Sequence, residues 1–398
     1  MEVKHMTIED RTAYARLRRY AFTPQRNDYQ HINCLDEDIP GDWLYGAYEH
    51  ETMISGAICL RFRLRLRGAD LAMGGVSSVA TRPECRNRGA IRQLMEAMLG
   101  DLHRASVPLS VLYPFKYSYW EKFGYKLADE AVFYQIPIED ILARPNNDRT
   151  FTEVYGITDD IKRLYLESLH RNNYMVLREA RHWGELDKKT FKFICLDQHG
   201  QPRGYVLLKF LENLPPHAKG HMKHIHQTLF CPEIVWLDEP TRRALFAFIW
   251  GHRDQRKFVA FSRPSGEPVI DLLREPKVTM RFTRVNSMAR IVDLQAALTG
   301  ITYPISDFSL RLRVNDPDCP WNNGLFRLEN RAGETRLVPD TGEGADLETS
   351  IGHLTQLYTG FRTIHQLADQ DLVTATHASR DLLARMLPGC SNFLRDFF

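Results

Sequence analysis

Cysteine is sparse in this 398-residue chain: seven residues, at positions 34, 59, 85, 195, 231, 319 and 390, with no C-x-x-C pair. An odd number at wide spacing excludes a disulfide framework and the common zinc-site spacings, and points to reduced thiols. Long apolar runs are missing as well. No stretch reaches the ~18 residues of a membrane span, and the N-terminal MEVKHMTIEDRTAY has no signal-peptide core. A cytoplasmic protein is therefore expected. An excess of charge of either sign is also absent, since 52 Lys and Arg against 50 Asp and Glu leave a formal +2. That balance argues against general nucleic-acid binding, which needs a strongly basic face. No G-x-S-x-G elbow is present, which argues against nucleophilic hydrolysis. What the chain does hold is apolar residues, 43% of the total, ample for several cores, and a length that fits two or three domains at roughly 100–200 residues each.

The most informative segment is VATRPECRNRGAIR, residues 79–92. The run Met73 to Thr81 reads as a strand, and Ile91, Leu94, Met95, Met98, Leu99 and Leu102 recur at helical spacing. A helix thus begins at a turn made of arginines and one glycine. The first N–H groups of a helix have no internal partner and its N-terminal end carries partial positive charge, so this turn has the form of a pyrophosphate site. Gly89 lets a phosphate approach the backbone, and Arg86 and Arg88 add charge-assisted donors. The plainer reading is a solvated arginine-rich turn. About twenty residues on, SVLYPFKYSYWEKFGY (Ser110 to Tyr125) reads as a short buried strand, a proline break, a brief amphipathic helix and a turn at Gly124.

The two segments together resemble the core of the GNAT N-acetyltransferases, in which an R/Q-x-x-G-x-G/A loop holds coenzyme A and a Y-x-x-[FL]-G-[FY] helix follows. Ile91 stands where the loop pattern usually has Gly or Ala. The resemblance implies that Val79, Ala80 and Thr81 run beside the pantetheine and acetyl groups, with a strand N–H as oxyanion donor. It also implies that Arg86, Asn87, Arg88, Gly89, Ala90, Ile91 and Arg92 surround the pyrophosphate. Where the family's helix has a tyrosine that protonates the leaving thiolate, this chain has Trp120, an N–H donor that does not titrate usefully. Tyr119 is adjacent but turned by ~100° around a helix; Tyr113 and Tyr117 are other candidates for reaching the sulfur.

Along the rest of the first ~145 residues, a helix around Arg11 to Phe22, a strand from Trp43 to Tyr48 and a long strand from Met53 to Leu66 are expected. Arg61, Arg63, Arg65 and Arg67 alternate with Phe62, Leu64 and Leu66, so they share one face, ordinarily a solvated one and otherwise one that meets a ligand or a partner subunit. ARPNNDR, Ala143 to Arg149, reads as a linker. The region 150–285 mixes helix and strand patterns without the arginine-glycine loop. Its His221, His224 and His226 match no two-histidine zinc motif, so no metal site is expected, and the alternation after Met222 reads as a strand.

The region from 287 to the end opens with MARIVDLQAAL and closes with the helical patterns IGHLTQLYTGF and RDLLARMLPGCSNFLRDFF. This order resembles the sterol-carrier-protein-like domain at the C-terminus of the enhanced intracellular survival (Eis) acetyltransferase family, a resemblance that then covers the whole chain. It implies an α/β architecture with mixed sheets: a GNAT acetyl-CoA-binding catalytic domain (1–145), a degenerate second GNAT-like domain (150–285) and a sterol-carrier-like α+β domain (287–398). In that family the C-terminal carboxylate enters the active site, which makes Phe398 the candidate for orienting a cationic acceptor or serving as base. The cosubstrate implied is acetyl-CoA, with no metal; the acceptor is a primary amine of aminoglycoside, polyamine or lysine type; the assembly is a hexamer without nucleic-acid or membrane partners. Phe22, Tyr29, Trp43 and Tyr113 with Asp28, Asp36 and Glu37 are candidates to frame the amine pocket. Two other readings remain: a catalytically weak binding or assembly protein that takes coenzyme A or an apolar ligand, and a transferase for longer acyl groups.

Overall fold

The computed structural model describes residues 1–22, 40, 43–142, 148–188, 190–210 and 225–398. They form two compact units, and the cut between them does not follow chain order. The first unit comprises Met1–Ala128, Asn286–Cys390 and Phe397–Phe398; the second comprises Asp129–Val285 and Ser391–Asp396.

In the first unit, antiparallel pairing joins Glu2–His5 to Leu44–Glu49, that strand to Thr52–Leu66, and Thr52–Leu66 to Ala69–Thr81. Ala69–Thr81 then pairs in parallel with Leu109–Leu112. The parallel connection carries the helix Ala90–Arg104, as such crossovers require. Its apolar stripe, Ala90, Leu94, Met95, Met98, Leu99 and Leu102, is buried against the sheet in one core with Tyr45, Cys59, Val76 and Leu112.

The next strand of this sheet comes from far along the chain. Met288–Ile291 lies between Leu109–Leu112 and Lys126–Leu127, antiparallel to both. Conversely Glu130–Pro137, inside the expected first domain of residues 1–145, is a strand of the second unit's sheet, paired with Phe258–Pro264 and Met280–Val285. Sequence order alone assigns neither strand, because both are short apolar runs whose places are set by the edges left open to them.

The C-terminal part of the first unit has its own five-stranded sheet, in the order Glu334–Pro339, Gly324–Arg331, Phe308–Asn315, Leu347–Ser350, Val373–Ala375. The helices Ile351–Thr359, Ile364–Ala368 and His377–Met386 follow, each started by a Ser or Thr whose hydroxyl accepts an amide of the first turn. The arginine row on Thr52–Leu66 is largely committed to structure. Arg65 is paired with Asp70. Arg67, just past the strand with a φ of 48°, donates to the carbonyls of Leu357, Tyr358 and Pro388 and so satisfies the end of the helix Ile351–Thr359.

The second unit is a seven-stranded sheet in the order Met280–Val285, Glu130–Pro137, Phe258–Pro264, Thr228–Trp236, Pro202–Phe210, Phe191–Leu196, Thr150–Val154. His226 sits in a short 3-10 turn, Ile225–Gln227, and not in the strand that its alternation predicts, since pairing begins only at Thr228. His221 and His224 lie outside the described residues.

Candidate functional site

The strand Ala69–Thr81 and its parallel neighbour Leu109–Leu112 are paired from Met73–Leu109 to Val76–Leu112, where the shorter strand ends. Beyond that point Ala69–Thr81 continues without a parallel partner on this side. Just past it the longer strand is bulged. Its register on Thr52–Leu66 jumps between Ile58–Ser77 and Gly56–Ala80, so Ser78 and Val79 stand opposite Ala57 alone. Ser78 takes a φ of 54°, which turns the backbone locally. Two buried side chains hold the bulge. The Tyr14 hydroxyl donates to the Ser78 carbonyl at 2.7 Å, and the Ser55 hydroxyl donates to the Ala80 carbonyl at 2.9 Å. Burial pushes the Tyr14 phenol well above its ordinary range, so it stays a donor.

Val79, Ala80 and Thr81 lead into the loop. Pro83–Cys85 form a 3-10 turn, Asn87 has a φ of 64° and Gly89 a φ of 85°. No atom lies within 4 Å of a Cβ built on Gly89, so its backbone faces open space. The left-handed φ suits glycine, and it places Gly89 as N-cap of the helix Ala90–Arg104 with no capping side chain. Gln93 N–H donates to Gly89 O at 3.2 Å, which leaves the amides of Ala90, Ile91 and Arg92 ahead of the first helical hydrogen bond. Arg86, Asn87 and Arg88 are exposed. Arg88 lies 3.4 Å from Glu49, while Arg92 is tied to Asp318 at 2.8 Å and stacked over Phe123. Arg92 therefore offers its amide to an anion more directly than its guanidinium.

The helix Tyr117–Trp120 and the turn Glu121–Phe123 close the other side. Trp120 is only 3% exposed and belongs to the same core as Val76 and Leu112; its Nε1 is buried without a hydrogen-bond partner among the described residues. Tyr119 is half-buried, edge-on to Trp120 at 5.3 Å, and burial raises its phenol, partly offset by Arg92. Gly124, with a φ of 74°, is held by Arg290, which donates to the Phe123 carbonyl at 2.6 Å and to Asp316 at 2.6 Å in a wholly buried pair. Arg290 and Tyr14 carry no motif, and only their hydrogen bonds mark them.

Phe398 docks in the first unit. Its ring lies 4.8 Å from Phe62 and 5.2 Å from Tyr113, beside Gly75 of the strand Ala69–Thr81. A Cβ on Gly75 would stand 2.6 Å from Phe62 and 2.7 Å from Phe398. Gly75→Ala is accordingly expected to dislodge the terminal ring, at an overpacking cost of about 1–3 kcal/mol; carboxypeptidase should then remove Phe398 faster than from the unaltered chain. Of the amine-pocket residues, Phe22 is exposed, Trp43 and Tyr113 are partly buried, and Tyr29, Asp28, Asp36 and Glu37 lie outside the described residues. Among the described residues there is no group of three potential metal ligands.

The comparisons with known proteins agree with this architecture. GNAT acetyltransferase domain models match residues 2–128 and 174–291, and a sterol carrier protein domain model matches residues 294–395. An uncharacterized N-acetyltransferase of Streptomyces avermitilis is 22% identical over 390 residues, 92% of this chain and 91% of that protein. N-acetyltransferase Eis of Mycobacterium tuberculosis is 23% identical over 355 residues, 81% of this chain and 80% of that protein. A GCN5-related N-acetyltransferase from Anabaena variabilis shares the fold at a TM-score of 0.87 and 21% identity, over all of both chains. Two GNAT domains, an amide-rich helix start and a sterol-carrier-type domain define an acetyltransferase of tandem GNAT organisation. In its order of domains and over four-fifths of its length the chain is similar to N-acetyltransferase Eis.

Proposed function

We propose that this enzyme transfers the acetyl group of acetyl-CoA to a primary amine of aminoglycoside, polyamine or lysine type by direct attack on the thioester. The observation that carries the reading is the end of the parallel pairing at Val76–Leu112, followed at once by the bulge at Ser78 and Val79 and, beyond the loop, by the amides of Ala90, Ile91 and Arg92 ahead of the first helical hydrogen bond. In this reading the loop from Arg86 to Arg92 binds the pyrophosphate through backbone N–H groups and the helix N-terminus, with Arg86 and Arg88 adding charge. A strand N–H at the bulge is the oxyanion donor, preorganised because Tyr14 and Ser55 fix the carbonyls beside it. Acetyl-CoA supplies the activated acyl group.

The Phe398 carboxylate is assigned the acceptor side. An α-carboxylate has a pKa of about 3.3–3.7, too low for efficient deprotonation of an ammonium, so its role is to attract and orient the cation while water carries the proton. On the leaving side, Trp120 has no titrating proton and its N–H is buried in the core, so the thiolate departs without a general acid. Trp120→Tyr is therefore expected to raise kcat tenfold or more, since general acid catalysis is typically worth about 10²- to 10⁴-fold; Trp120→Phe should not, and a steady-state comparison of the two distinguishes acid catalysis from altered packing. Tyr119→Phe tests the neighbouring hydroxyl in the same assay.

Thiol release from acetyl-CoA across polyamines, aminoglycosides and lysine peptides tests the reading. Amine-dependent release with stoichiometric N-acetylated product supports it. Binding of acetyl-CoA without turnover on any amine would overturn it in favour of a binding protein, and a preference for longer thioesters would reassign the acyl group. A hexamer in the cytoplasm completes the proposal, with light scattering of the purified chain as the check on assembly.

A further inference from the structure

In the second unit a parallel strand pair parts while both of its strands run on. Thr228–Trp236 and Phe258–Pro264 are paired from Thr228–Phe258 to Cys231–Phe261 and no further, although both strands continue. A cavity of about 270 Å³ lies there, walled by Ile234, Val235 and Trp236 of the first strand and by Arg263 of the second. Nothing in this region has the glycine loop of the first unit. In its place are guanidinium groups: Arg171, Arg242, Arg263 and Arg395 all line the cavity, against only two carboxylates, Glu239 and Glu267.

Those two carboxylates are already engaged. Glu267 accepts Nε and Nη2 of Arg263 at 2.9 and 2.7 Å, and Glu239 accepts Nε and Nη2 of Arg242 at 2.7 and 3.0 Å. Arg395 and Arg171 have no carboxylate of the lining paired with them. The Arg395 side chain is only 10% exposed; its Nη1 lies 3.1 Å from Glu233 behind the wall but makes no aligned hydrogen bond there, because Glu233 is shared with Arg178 and Tyr205. Cation crowding is visible at Arg263, whose pKa is lowered by burial and further by Arg395, against the pull of Glu267. Behind the wall Arg178 and Arg395 are matched by Glu233 and Asp396, so the positive charge on this cavity that has no carboxylate is that of the exposed Arg171; each guanidinium carries five N–H donors, more than a single carboxylate takes up.

We propose that this cavity is a second ligand site, specific for the oxyanion group of a small molecule, a carboxylate or a phosphate, held by Arg171, Arg242 and Arg395. It lies wholly within the second unit and does not depend on the acetyl-transfer reading. Trp236 reports on it, because the Arg263 guanidinium stacks on its ring at 4.1 Å.

The test is a titration of the full chain, at constant ionic strength, with inorganic phosphate, with succinate and with chloride, read by tryptophan fluorescence and by melting temperature. A saturable response to phosphate or to succinate, but not to chloride, is expected, and the more effective of the two identifies the group. Trp236→Phe should abolish the fluorescence change while keeping the thermal shift. Arg171→Gln, at an exposed position, should weaken binding about tenfold or more, as loss of a charge-assisted hydrogen bond does, with the unliganded melting temperature unchanged. No saturable response to either oxyanion, a response matched by chloride, or unaltered affinity in the Arg171→Gln, Arg242→Gln double variant would overturn the proposal.

Discussion

Deleting Phe398 is expected to lower kcat by about 10²-fold, the cost of a misplaced reactant, while leaving the fold and the affinity for acetyl-CoA near those of the intact chain. The terminal residue contributes two separable things. Its ring fills the space beside Gly75 and against Phe62 and Tyr113, and its carboxylate carries the charge proposed to orient the amine. Deletion removes the ring and moves the carboxylate back by one residue. Adding a single glycine after Phe398 keeps the ring and moves the carboxylate outward by roughly 3.3–3.6 Å. If the charge orients the amine, both forms lose activity, and KM for the amine rises in the extended one. Full activity in the extended form would mean that only the docked ring matters; full activity in both would remove the chain end from the mechanism. Acetyl-CoA binding, followed calorimetrically, serves as the control, because the loop from Arg86 to Arg92 should not sense either change.

The largest effect on stability is expected at Arg178. Its side chain is 1% exposed and is divided between Glu233, through Nη1 at 2.9 Å and Nη2 at 2.6 Å, and Asp396, through Nε at 2.7 Å. The guanidinium lies 4.0 Å from the Tyr165 ring and 4.7 Å from the Trp183 ring. Arg178→Met fills much of the volume but takes away the cation that Glu233 and Asp396 share, leaving Glu233 with Arg395, a change that costs about 3–5 kcal/mol. Denaturant unfolding should show it as a lower midpoint. The same cluster sets an acid limb. Burial pushes the Glu233 carboxyl up, but Arg178 and Arg395 outweigh burial and hold it down at about 2, against an ordinary value of 4.5. A folded-state pKa below the unfolded one means stability that is present in full above pH ~4.5 and drains away as pH falls toward ~2. The shift corresponds to about 3 kcal/mol, so Glu233→Gln should be less stable than the native chain at neutral pH and show a flatter loss in that acid window.

Asp396 also explains how the chain end is anchored within the second unit. Besides Arg178, the Leu394 amide donates to Asp129, and Asn392 accepts from Asn173. The terminal segment is thus fastened by buried polar contacts before the last two residues join the first unit. Chain ends usually fray; this one is tethered, in keeping with the apolar FLRDFF.

Much of the catalytic unit can be read from the sequence because its signals are local. The run ending at Thr81, the arginine turn, Gly89 and the stripe from Leu94 to Leu102 sit within one contiguous segment, and alternation, helical spacing and glycine placement depend only on near neighbours. The mixed α/β class and the family follow from that segment together with the order of the C-terminal patterns. Other features depend on partners far along the chain. Nothing near Met288 shows that it extends the first sheet, and nothing near Glu130 shows that it joins the second, because each is placed by the strands that pair with it on both sides, all of them distant in sequence. Tyr14 looks like any core aromatic until its hydroxyl is found on Ser78, 64 positions away. Arg67 belongs by pattern to a solvated row, yet three distant carbonyls take it. The arginine cavity of the second unit draws on residues from Ser168 to Arg395 that no window of sequence unites. Residue type and spacing therefore determined the elements, the anion-binding turn and the class of chemistry, since these follow from backbone geometry within a few residues. Which buried charges pair, where the bulge is pinned and where the last residue rests were decided only by tertiary structure, because each rests on desolvated contacts between segments far apart in the chain.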